Sequence, residues 1–302
     1  MRSLLFVPGD DERKIARGLS CAADALILDL EDAVAPARKA AARELCRRTL
    51  ASADTPKLLF VRVNALDSGE IQSDLDAVAA ARPYGIVLPK CRGGADVAEL
   101  GRQLDIVEAA AGIASGSIRI LPIVTETAVS LFGLGSYFQP VSPRLCGMMW
   151  GGEDLAADLG ALANRDGGVY TTPYLLARAL CLIGAAAAGV APVDSVYTDF
   201  RDRTGLQAEA VLGLRDGFSA KAAIHPDQIE PIHAAFTPSA ADIDLAVRVV
   251  SAFAADCGAG VVAMDGRMLD RPHRRSALRV LERARAAGIT IPDSIVSLLE
   301  HA

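Results

Sequence analysis

Short apolar segments alternate with helix-compatible segments along most of this chain, and the alternation constrains the fold more than any other feature. Eight apolar segments have the length of strands: 3–8, 24–30, 58–63, 84–89, 118–124, 144–149, 192–198 and 218–224. The intervening segments are compatible with helices: 11–20, 36–51, 70–81, 95–113, 127–137, 171–189, 203–216 and 226–235. Strict alternation favours a parallel sheet with helices outside it, and eight repeats favour closure. We predict an α/β fold, a (β/α)8 TIM barrel formed by residues 1–236.

An open doubly wound sheet that binds a nucleotide is the main alternative. That fold requires a Gly-x-Gly-x-x-Gly turn directly after an early strand. The turn after the first strand, Val7–Asp10, lacks this pattern, and the glycine pairs at 133/135 and 258/260 do not lie between an early strand and a helix. The sequence therefore favours the barrel.

Residues 237–302 follow a different pattern from the eight repeats. A helical segment ends near residue 255, and a glycine-rich segment follows at 257–260. Asp265–Gly266 is a hairpin signal between two short β-like runs, and Arg271–His273 opens a final helix. We predict a C-terminal helical and hairpin extension, which is either a cap on the same barrel or an arm that reaches a neighbouring subunit.

Composition favours a soluble enzyme over a nucleic-acid or membrane protein. The chain has 302 residues, of which 51% are apolar, and a net charge of −6, without the basic, aromatic-rich stretch typical of nucleic-acid binders. The N-terminal apolar run is too short for a signal peptide, and the most apolar helical stretch, 174–190, contains Arg178. Six dispersed cysteines, Cys257 among them, form no Cys-x-x-Cys pair and predict reduced thiols. We expect a cytoplasmic protein without nucleic-acid or membrane partners.

Polar residues follow five consecutive predicted strands, from the second to the sixth. They are Asp29 with Glu31 and Asp32, then Arg62, Lys90, Glu126 and Asp154. In a barrel these positions converge at one mouth, where active sites of this fold are built. Each residue alone also has a structural interpretation, such as an ion pair between Asp29 and Arg62 or a solvated Lys90.

Glu126 and Asp154 together predict a metal site. Carboxylate ligation without His or Cys suits a hard cation, so Mg²⁺, or Mn²⁺, completed by water and substrate oxygens fits better than zinc. Arg62 is placed to stabilise an oxyanion that develops near the metal. The backbone N–H groups of Gly151 and Gly152 are suited to hold a substrate carboxylate.

Eight sequence blocks together resemble the citrate lyase β-subunit-like branch of the HpcH/HpaI aldolase family, which includes malyl-CoA and citramalyl-CoA lyases. The blocks cover nearly the whole chain in order: Ser3–Gly9, Leu28–Val34, Arg62–Asn64, Leu88–Lys90, Glu126, Gly151–Leu155, Lys221–Pro226 and Met268–His273. The resemblance implies a Mg²⁺-dependent enzyme that cleaves or forms a carbon–carbon bond in a 3-hydroxyacyl-CoA thioester by retro-Claisen chemistry, giving acetyl-CoA and a 2-oxo acid.

The resemblance also implies roles for single residues. Glu126 and Asp154 match the metal ligands, and Arg62 matches the residue that binds the reacting oxyanion. Asp270 matches an aspartate that a neighbouring subunit supplies to protonate the enolate, so we expect a homotrimer or homohexamer. The alternative for Asp270 is a helix cap, since Asp is favoured before a helix start.

Other charged residues near the mouth receive supporting roles. We expect Glu31 and Asp32 to order metal-bound water. Arg13, Lys14 and Lys90 are the nearest basic candidates for CoA phosphates, although the acidic stretch 10–12 departs from the loop common in relatives.

Four other functions stay open at this point. A citrate lyase β subunit and a malyl-CoA thioesterase belong to the same family branch. A class II pyruvate-type aldolase would share the barrel and the metal pair but would need a His base near the second strand, and the first His in the chain is His225. A barrel that only binds an acyl-CoA or a partner protein is the non-enzymatic alternative.

Overall fold

The structure is a computed structural model that describes residues 1–138, 141–255, 260–293 and 295–296. Within residues 3–232, eight parallel strands form one sheet. In chain order the strands of this part are β1 (Ser3–Pro8), β2 (Ala25–Asp29), β3 (Leu58–Arg62), β4 (Gly85–Leu88), β5 (Arg119–Pro122), β6 (Gly147–Met149), β7 (Arg165–Asp166), β8 (Val169–Tyr170), β9 (Ala191–Asp194) and β10 (Ala220–Ala223). The sheet order is β5-β4-β3-β2-β1-β10-β9-β6. Parallel bridges Ile120–Leu145 and Ile123–Met149 join the two edge strands and form the barrel, so the predicted fold is confirmed.

Helices connect the strands and pack outside the sheet. They are α1 (Glu12–Ser20), α2 (Lys39–Ser52), α3 (Ile71–Val78), α4 (Gly94–Ala110), α5 (Ala128–Gly133), α6 (Glu153–Asp158), α7 (Thr172–Ala188), α8 (Arg203–Asp216) and α9 (Ile229–Phe236), with short 3-10 turns at 36–38, 79–81, 134–136 and 226–228. Every residue of β2, β4 and β10 is buried. Burial on both faces explains why these strands are apolar throughout instead of alternating.

Segment 153–170 differs from the prediction, which placed no element between the sixth strand and the helix at 171–189. Here the chain forms α6 and then a hairpin of β7 and β8. Gly167 and Gly168 form its two-residue turn with φ of 55° and 82°, the conformation that an Asp-Gly-Gly sequence favours. That signal stands in the sequence, but two-residue strands are too short to show a period of two.

Several strands end earlier than the sequence predicts. The predicted strands 118–124 and 192–198 are observed as Arg119–Pro122 and Ala191–Asp194. Apolar residues past these ends, including Ile123 and Val196, line a cavity, and Ile123 pairs only through its isolated bridge to Met149. Apolar composition alone does not separate a strand from a buried loop beside it.

The second compact unit contains Met1–Arg2 and residues from His233 onward. Its described elements are α10 (Ala240–Ala255), the antiparallel strands β11 (Val261–Met264) and β12 (Arg267–Asp270), and α11 (Arg271–Ala286). Residues of these elements form a core of their own that includes Phe253, Leu269 and Leu281. This confirms the helical and hairpin character of the extension. The glycine-rich segment with Cys257 lies largely outside the described residues, and the role of the extension as cap or arm stays a prediction.

Within the described residues, no helix combines the length and the apolar character that crossing a lipid bilayer requires.

Candidate active site

A cavity of about 360 Å³ opens at the C-terminal ends of the barrel strands. Seven of the residues predicted at the mouth line it: Asp29, Asp32, Arg62, Glu126, Gly151, Gly152 and Asp154. Its remaining lining is largely apolar and includes Phe6, Met149, Val196 and Ile224. A mainly apolar cavity with a few convergent charged groups is typical of a small-molecule site.

Arg62 ends β3 and is held by the carboxylate that ends β2. Its Nε and Nη2 donate to the two Asp29 oxygens at 2.8 and 2.6 Å, and its Nη1 lies 3.0 Å from Glu31 Oε2. The ion pair between Asp29 and Arg62, which the sequence left as a structural alternative, is therefore present. A bidentate pair fixes the plane of the guanidinium, and its remaining N–H groups border the cavity.

Glu126 follows β5 and is only 3% exposed. Its Oε2 accepts a hydrogen bond from the backbone N–H of Lys90 at 2.5 Å. Burial and the negative charge of Asp154 raise the pKa of Glu126 to about 8. The residues around Glu126 therefore leave its negative charge incompletely compensated.

Asp154 reaches the cavity from the first turn of α6, directly after the Gly151–Gly152 turn. Gly151 and Thr125 bind each other, because the Gly151 N–H donates to Thr125 Oγ1 at 3.0 Å and Thr125 Oγ1 donates to the Gly151 carbonyl at 3.1 Å. A Cβ on Gly151 would lie 2.8 Å from Glu126 Cγ, so glycine is required for this approach. Because the Gly151 N–H is engaged, it does not point freely to a substrate carboxylate, and the same role for the Gly152 N–H stays a prediction.

Lys90 and Glu31 lie beside these groups. The Lys90 ammonium forms an ion pair with Glu31 and lies 3.3 Å from Asp32 and 3.7 Å from Asp154. Burial raises the pKa of Glu31 despite its cationic neighbours. Glu31 Oε2 is buried without an aligned hydrogen bond in the described part of the chain, although Arg62 is near.

We call seven side chains the mouth cluster: the five carboxylates of Asp29, Glu31, Asp32, Glu126 and Asp154, and the cations of Arg62 and Lys90. The carboxylates exceed the cations by three, and the ligand atoms are oxygens. Within the described residues no group of three or more His, Cys, Asp or Glu side chains is arranged to hold a metal ion by itself. The carboxylate oxygens of Glu126 and Asp154 are of the kind that a hard cation such as Mg²⁺ takes, and Mg²⁺ is usually bound by one or two protein carboxylates with several waters.

A second buried group of charges lies on the outer side of the barrel wall, and sequence reasoning missed it. Asp194 ends β9 and is paired with Arg178 of α7 at 3.2 Å and with Lys221 of β10 at 3.6 Å. Lys221 Nζ also donates to Glu209 of α8 at 2.9 Å. We call Arg178, Asp194, Glu209 and Lys221 the wall cluster. It is joined to the site because the Trp150 indole N–H donates to Asp194 Oδ1 at 2.6 Å.

The remaining predicted residues do not line the cavity. Arg13 and Lys14 lie on α1, where Lys14 is 3.6 Å from Asp11 at the exposed surface. Asp270 belongs to the C-terminal unit, where it is exposed and is the N-cap of α11, and its backbone N–H donates to His273 Nδ1 at 3.2 Å. A hydrogen bond with His273 lowers the pKa of Asp270. The capping role is thus observed, and a catalytic role stays a prediction.

Comparison with known families assigns this arrangement. The sequence profile of the HpcH/HpaI aldolase/citrate lyase family matches residues 2–226. The chain belongs to this family. The predicted family is thereby confirmed, together with its enzyme class, the metal-dependent carbon–carbon lyases.

Named relatives match over nearly their whole length. The chain is 38% identical to a (3S)-malyl-CoA thioesterase of Cereibacter sphaeroides, over 94% of this chain and 95% of that protein. It is 35% identical to the citrate lyase subunit beta of Escherichia coli, over 95% and 94%. Among solved structures, CitE from Mycobacterium tuberculosis, in complex with magnesium, acetoacetate and coenzyme A, is 33% identical and superposes with a TM-score of 0.75 over 94% of this chain and 97% of that one.

Proposed function

We propose that this enzyme is a Mg²⁺-dependent carbon–carbon lyase that cleaves or forms a 3-hydroxyacyl-CoA thioester such as malyl-CoA or citramalyl-CoA. The observation that carries the proposal is the buried Glu126 carboxylate, which lies in one cavity with Asp154 and whose negative charge Arg62 compensates only in part. The solved relative that holds magnesium, acetoacetate and coenzyme A supports the same ligand classes.

Glu126 and Asp154 would hold the cation, Mg²⁺ or in its place Mn²⁺. When bound, the metal acts as a Lewis acid toward the substrate oxygens. Glu31 and Asp32, which lie next to Lys90 and Arg62, would order water around the site. Gly152 and the first turn of α6 present N–H groups suited to a substrate carboxylate.

The cleavage step moves one proton and two electron pairs. The 3-hydroxyl group loses its proton to water, and the electron pair of that O–H bond forms the carbonyl group of the 2-oxo acid. The bond between C2 and C3 breaks at the same time, and its electron pair passes to the acyl methylene carbon. The products at that point are a 2-oxo acid and a thioester enolate. Arg62, held rigid by Asp29, has N–H groups left to stabilise the enolate oxygen, and a preorganised donor of this kind costs no reorganisation during the reaction.

Asp270 of a neighbouring subunit would return a proton to the enolate carbon and give acetyl-CoA. In the single chain the carboxyl of Asp270 is exposed, and its pKa is lowered by His273. Burial against another subunit would raise that pKa and favour the protonated form that donation requires. This role therefore depends on the predicted homotrimer or homohexamer.

Four apolar side chains of the barrel unit are exposed in the single chain. Phe132 of α5 and Leu162, which follows α6, are 91% exposed or more, and Val129 and Phe138 are each 58% exposed. Contiguous exposed apolar patches mark interaction surfaces, and the homotrimer or homohexamer stays a prediction.

The cytoplasm remains the compartment that we propose.

Arg13 and Lys14 remain candidates for the CoA phosphates. Both are exposed on α1, and exposed charges of this kind contribute little unless a ligand orders them. A CoA role for Lys90 has less support, because three carboxylates surround its ammonium.

A malyl-CoA thioesterase is the second candidate. The relatives with 38% identity carry that name, and hydrolysis of the same thioester would use the same cavity. A citrate lyase β subunit is the third, supported by the relative of that name at 35% identity. The class II aldolase has less support, since His225 lies in the 3-10 turn at 226–228 as its N-cap and binds Asp227 N–H through Nδ1 at 3.2 Å.

The test is an assay of purified enzyme with Mg²⁺ against malyl-CoA and citramalyl-CoA, with and without a chelator. Glyoxylate or pyruvate should be released together with acetyl-CoA, and the chelator should stop the release. Free malate and CoA without a 2-oxo acid would assign the thioesterase. Cleavage of a free 4-hydroxy-2-oxo acid alone would assign the aldolase and overturn the proposal.

A further inference from the structure

Lys90 contacts four of the five carboxylates of the mouth cluster. Its ammonium forms an ion pair with Glu31 and lies 3.3 Å from Asp32 and 3.7 Å from Asp154. Its backbone N–H donates to Glu126 Oε2 at 2.5 Å. One residue therefore touches both proposed metal ligands, one through its side chain and the other through its backbone.

The backbone of Lys90 is held in an unusual conformation. Its φ is +51°, in the left-handed region that residues with a Cβ rarely adopt. The adjacent Cys91 N–H donates to the Ile123 carbonyl at 3.3 Å, which fixes the loop after β4 against the end of β5. Strain of this kind persists where the surrounding structure determines it and is common at functional sites. The loop thus aims the N–H at Glu126 and keeps the ammonium on the acidic side.

A fixed positive charge in this position has opposite effects on the binding of the metal ion and on the binding of the substrate. It repels a divalent cation held by Glu126 and Asp154, and it attracts the carboxylate of a 2-oxo acid. Two unit charges about 4 Å apart interact by roughly 1 kcal/mol in water and by roughly 4 kcal/mol near a protein surface. Effects of that size change binding constants by measurable factors.

We propose that Lys90 is a positioning residue that orients Glu126 through its N–H and balances the mouth cluster through its ammonium, so that the site binds Mg²⁺ less tightly and the anionic substrate more tightly. The inference rests on the proposed function, because it assumes that Mg²⁺ binds at Glu126 and Asp154. It replaces a contact with CoA phosphates as the role of this side chain.

The test compares two binding constants by isothermal titration calorimetry in wild type and variants of Lys90. Mg²⁺ alone is titrated first, and pyruvate or glyoxylate is then titrated at saturating Mg²⁺. Lys90→Met should bind Mg²⁺ roughly 10-fold tighter and the 2-oxo acid roughly 10-fold weaker. Lys90→Gly, which keeps the N–H and tolerates the positive φ, should show the same two shifts, whereas Lys90→Arg should stay near wild type.

Lys57 offers a matched control. It is a half-buried lysine just before β3, and its Nζ donates to the backbone carbonyls of Cys21 and Ala23. Lys57→Met removes a lysine charge from the start of the barrel strands instead of their ends, and it should leave both binding constants unchanged.

The outcomes separate this inference from the proposed function. Opposite shifts in Lys90→Met and Lys90→Gly support the charge-balancing role. Weaker binding of both ligands in both variants would show a merely structural role and overturn the inference alone. Absence of Mg²⁺ binding, or of binding of either 2-oxo acid, in wild type would overturn the proposed function and this inference with it.

Discussion

The mouth cluster and the wall cluster both contain buried charges, yet they differ in the balance of carboxylates and cations. The wall cluster pairs two carboxylates, Asp194 and Glu209, with two cations, Arg178 and Lys221. The mouth cluster sets five carboxylates against Arg62 and Lys90. Both clusters belong to the same barrel unit, so the fold alone does not explain the difference.

The pKa shifts of Asp194 and Glu126 show the effect of this difference in charge balance. Burial opposes ionisation of Asp194, but the charges of Lys221 and Arg178 outweigh it and lower the pKa of this carboxyl. Burial raises the pKa of Glu126 to about 8, and Asp154 adds to the shift. A compensated buried charge serves the structure, and an uncompensated one at a cavity indicates a ligand of opposite charge. The following predictions test that distinction.

Replacing Glu126 by Gln should have the largest effect on function. Turnover should fall by at least about 100-fold. Loss of a residue that only hydrogen-bonds a metal ligand costs up to about 100-fold, and Glu126 is itself a proposed ligand. Stability without metal should stay equal or rise, because an amide replaces a buried carboxylate whose charge is only partly compensated. Chelator-sensitive turnover and thermal unfolding measure the two effects, and an unchanged rate would remove the proposed site.

Replacing Asp194 by Asn should show the reverse pattern. The change leaves Arg178 and Lys221 buried beside a neutral group, which costs about 3–5 kcal/mol of the free energy of unfolding. Urea unfolding measures it. Turnover per folded molecule should change by only a few-fold, since Asp194 does not line the cavity. Asp216→Asn, at the partly exposed edge beside Arg178, is the control and should cost no more than about 1 kcal/mol. Equal losses in the two variants would contradict the account.

The pH dependence of stability should separate the clusters in metal-free protein. The folded pKa of Asp194 lies below its ordinary value of 3.8, so its contribution is present above pH 3.8 and is lost as the pH falls through the folded value. The folded pKa of Glu126 lies above its ordinary value of 4.5, so its contribution is present below pH 4.5 and is lost as the pH rises toward 8. Melting temperatures of Asp194→Asn should lack the acid loss, and those of Glu126→Gln should lack the loss toward pH 8.

Trp150→Phe should have the smallest effect. The change keeps an aromatic ring against Tyr170, where the two ring centroids are 5.0 Å apart. It removes the N–H that donates a hydrogen bond to Asp194 Oδ1. Asp194 Oδ1 keeps its hydrogen bonds from Arg178 Nε and the Ser195 N–H, so the loss of one hydrogen bond should cost about 1.5 kcal/mol, measurable by urea unfolding. Tyr174→Phe is the matched control. Its hydroxyl is buried without a hydrogen-bond partner in the described part of the chain, so its loss should be neutral or stabilising.

The sequence predicted the mouth better than the wall for a physical reason. Residues after consecutive parallel strands meet at one end of a barrel, so Arg62, Glu126 and Asp154 could be grouped from their positions alone. Members of the wall cluster lie on two helices and two strands. No sequence pattern around them distinguishes a charge that is buried between the sheet and the helices from a charge at the surface. The ion pair of Asp29 with Arg62 was one of two open interpretations, and only side-chain geometry decides it.

Local structure set the other limits. The only sequence signal for the hairpin of β7 and β8 is its Asp-Gly-Gly turn. The ammonium of Lys90 points to carboxylates because its backbone is left-handed, and no residue type near Lys90 predicts that conformation. Strand ends were overestimated where apolar residues line the cavity.

Calorimetric titration of Mg²⁺ into wild type, Glu126→Gln and Asp194→Asn tests the central claim most directly. The account predicts one Mg²⁺ bound per chain in wild type and in folded Asp194→Asn, and loss of that binding in Glu126→Gln. Equal Mg²⁺ binding by wild type and Glu126→Gln, or no binding by wild type, would contradict it.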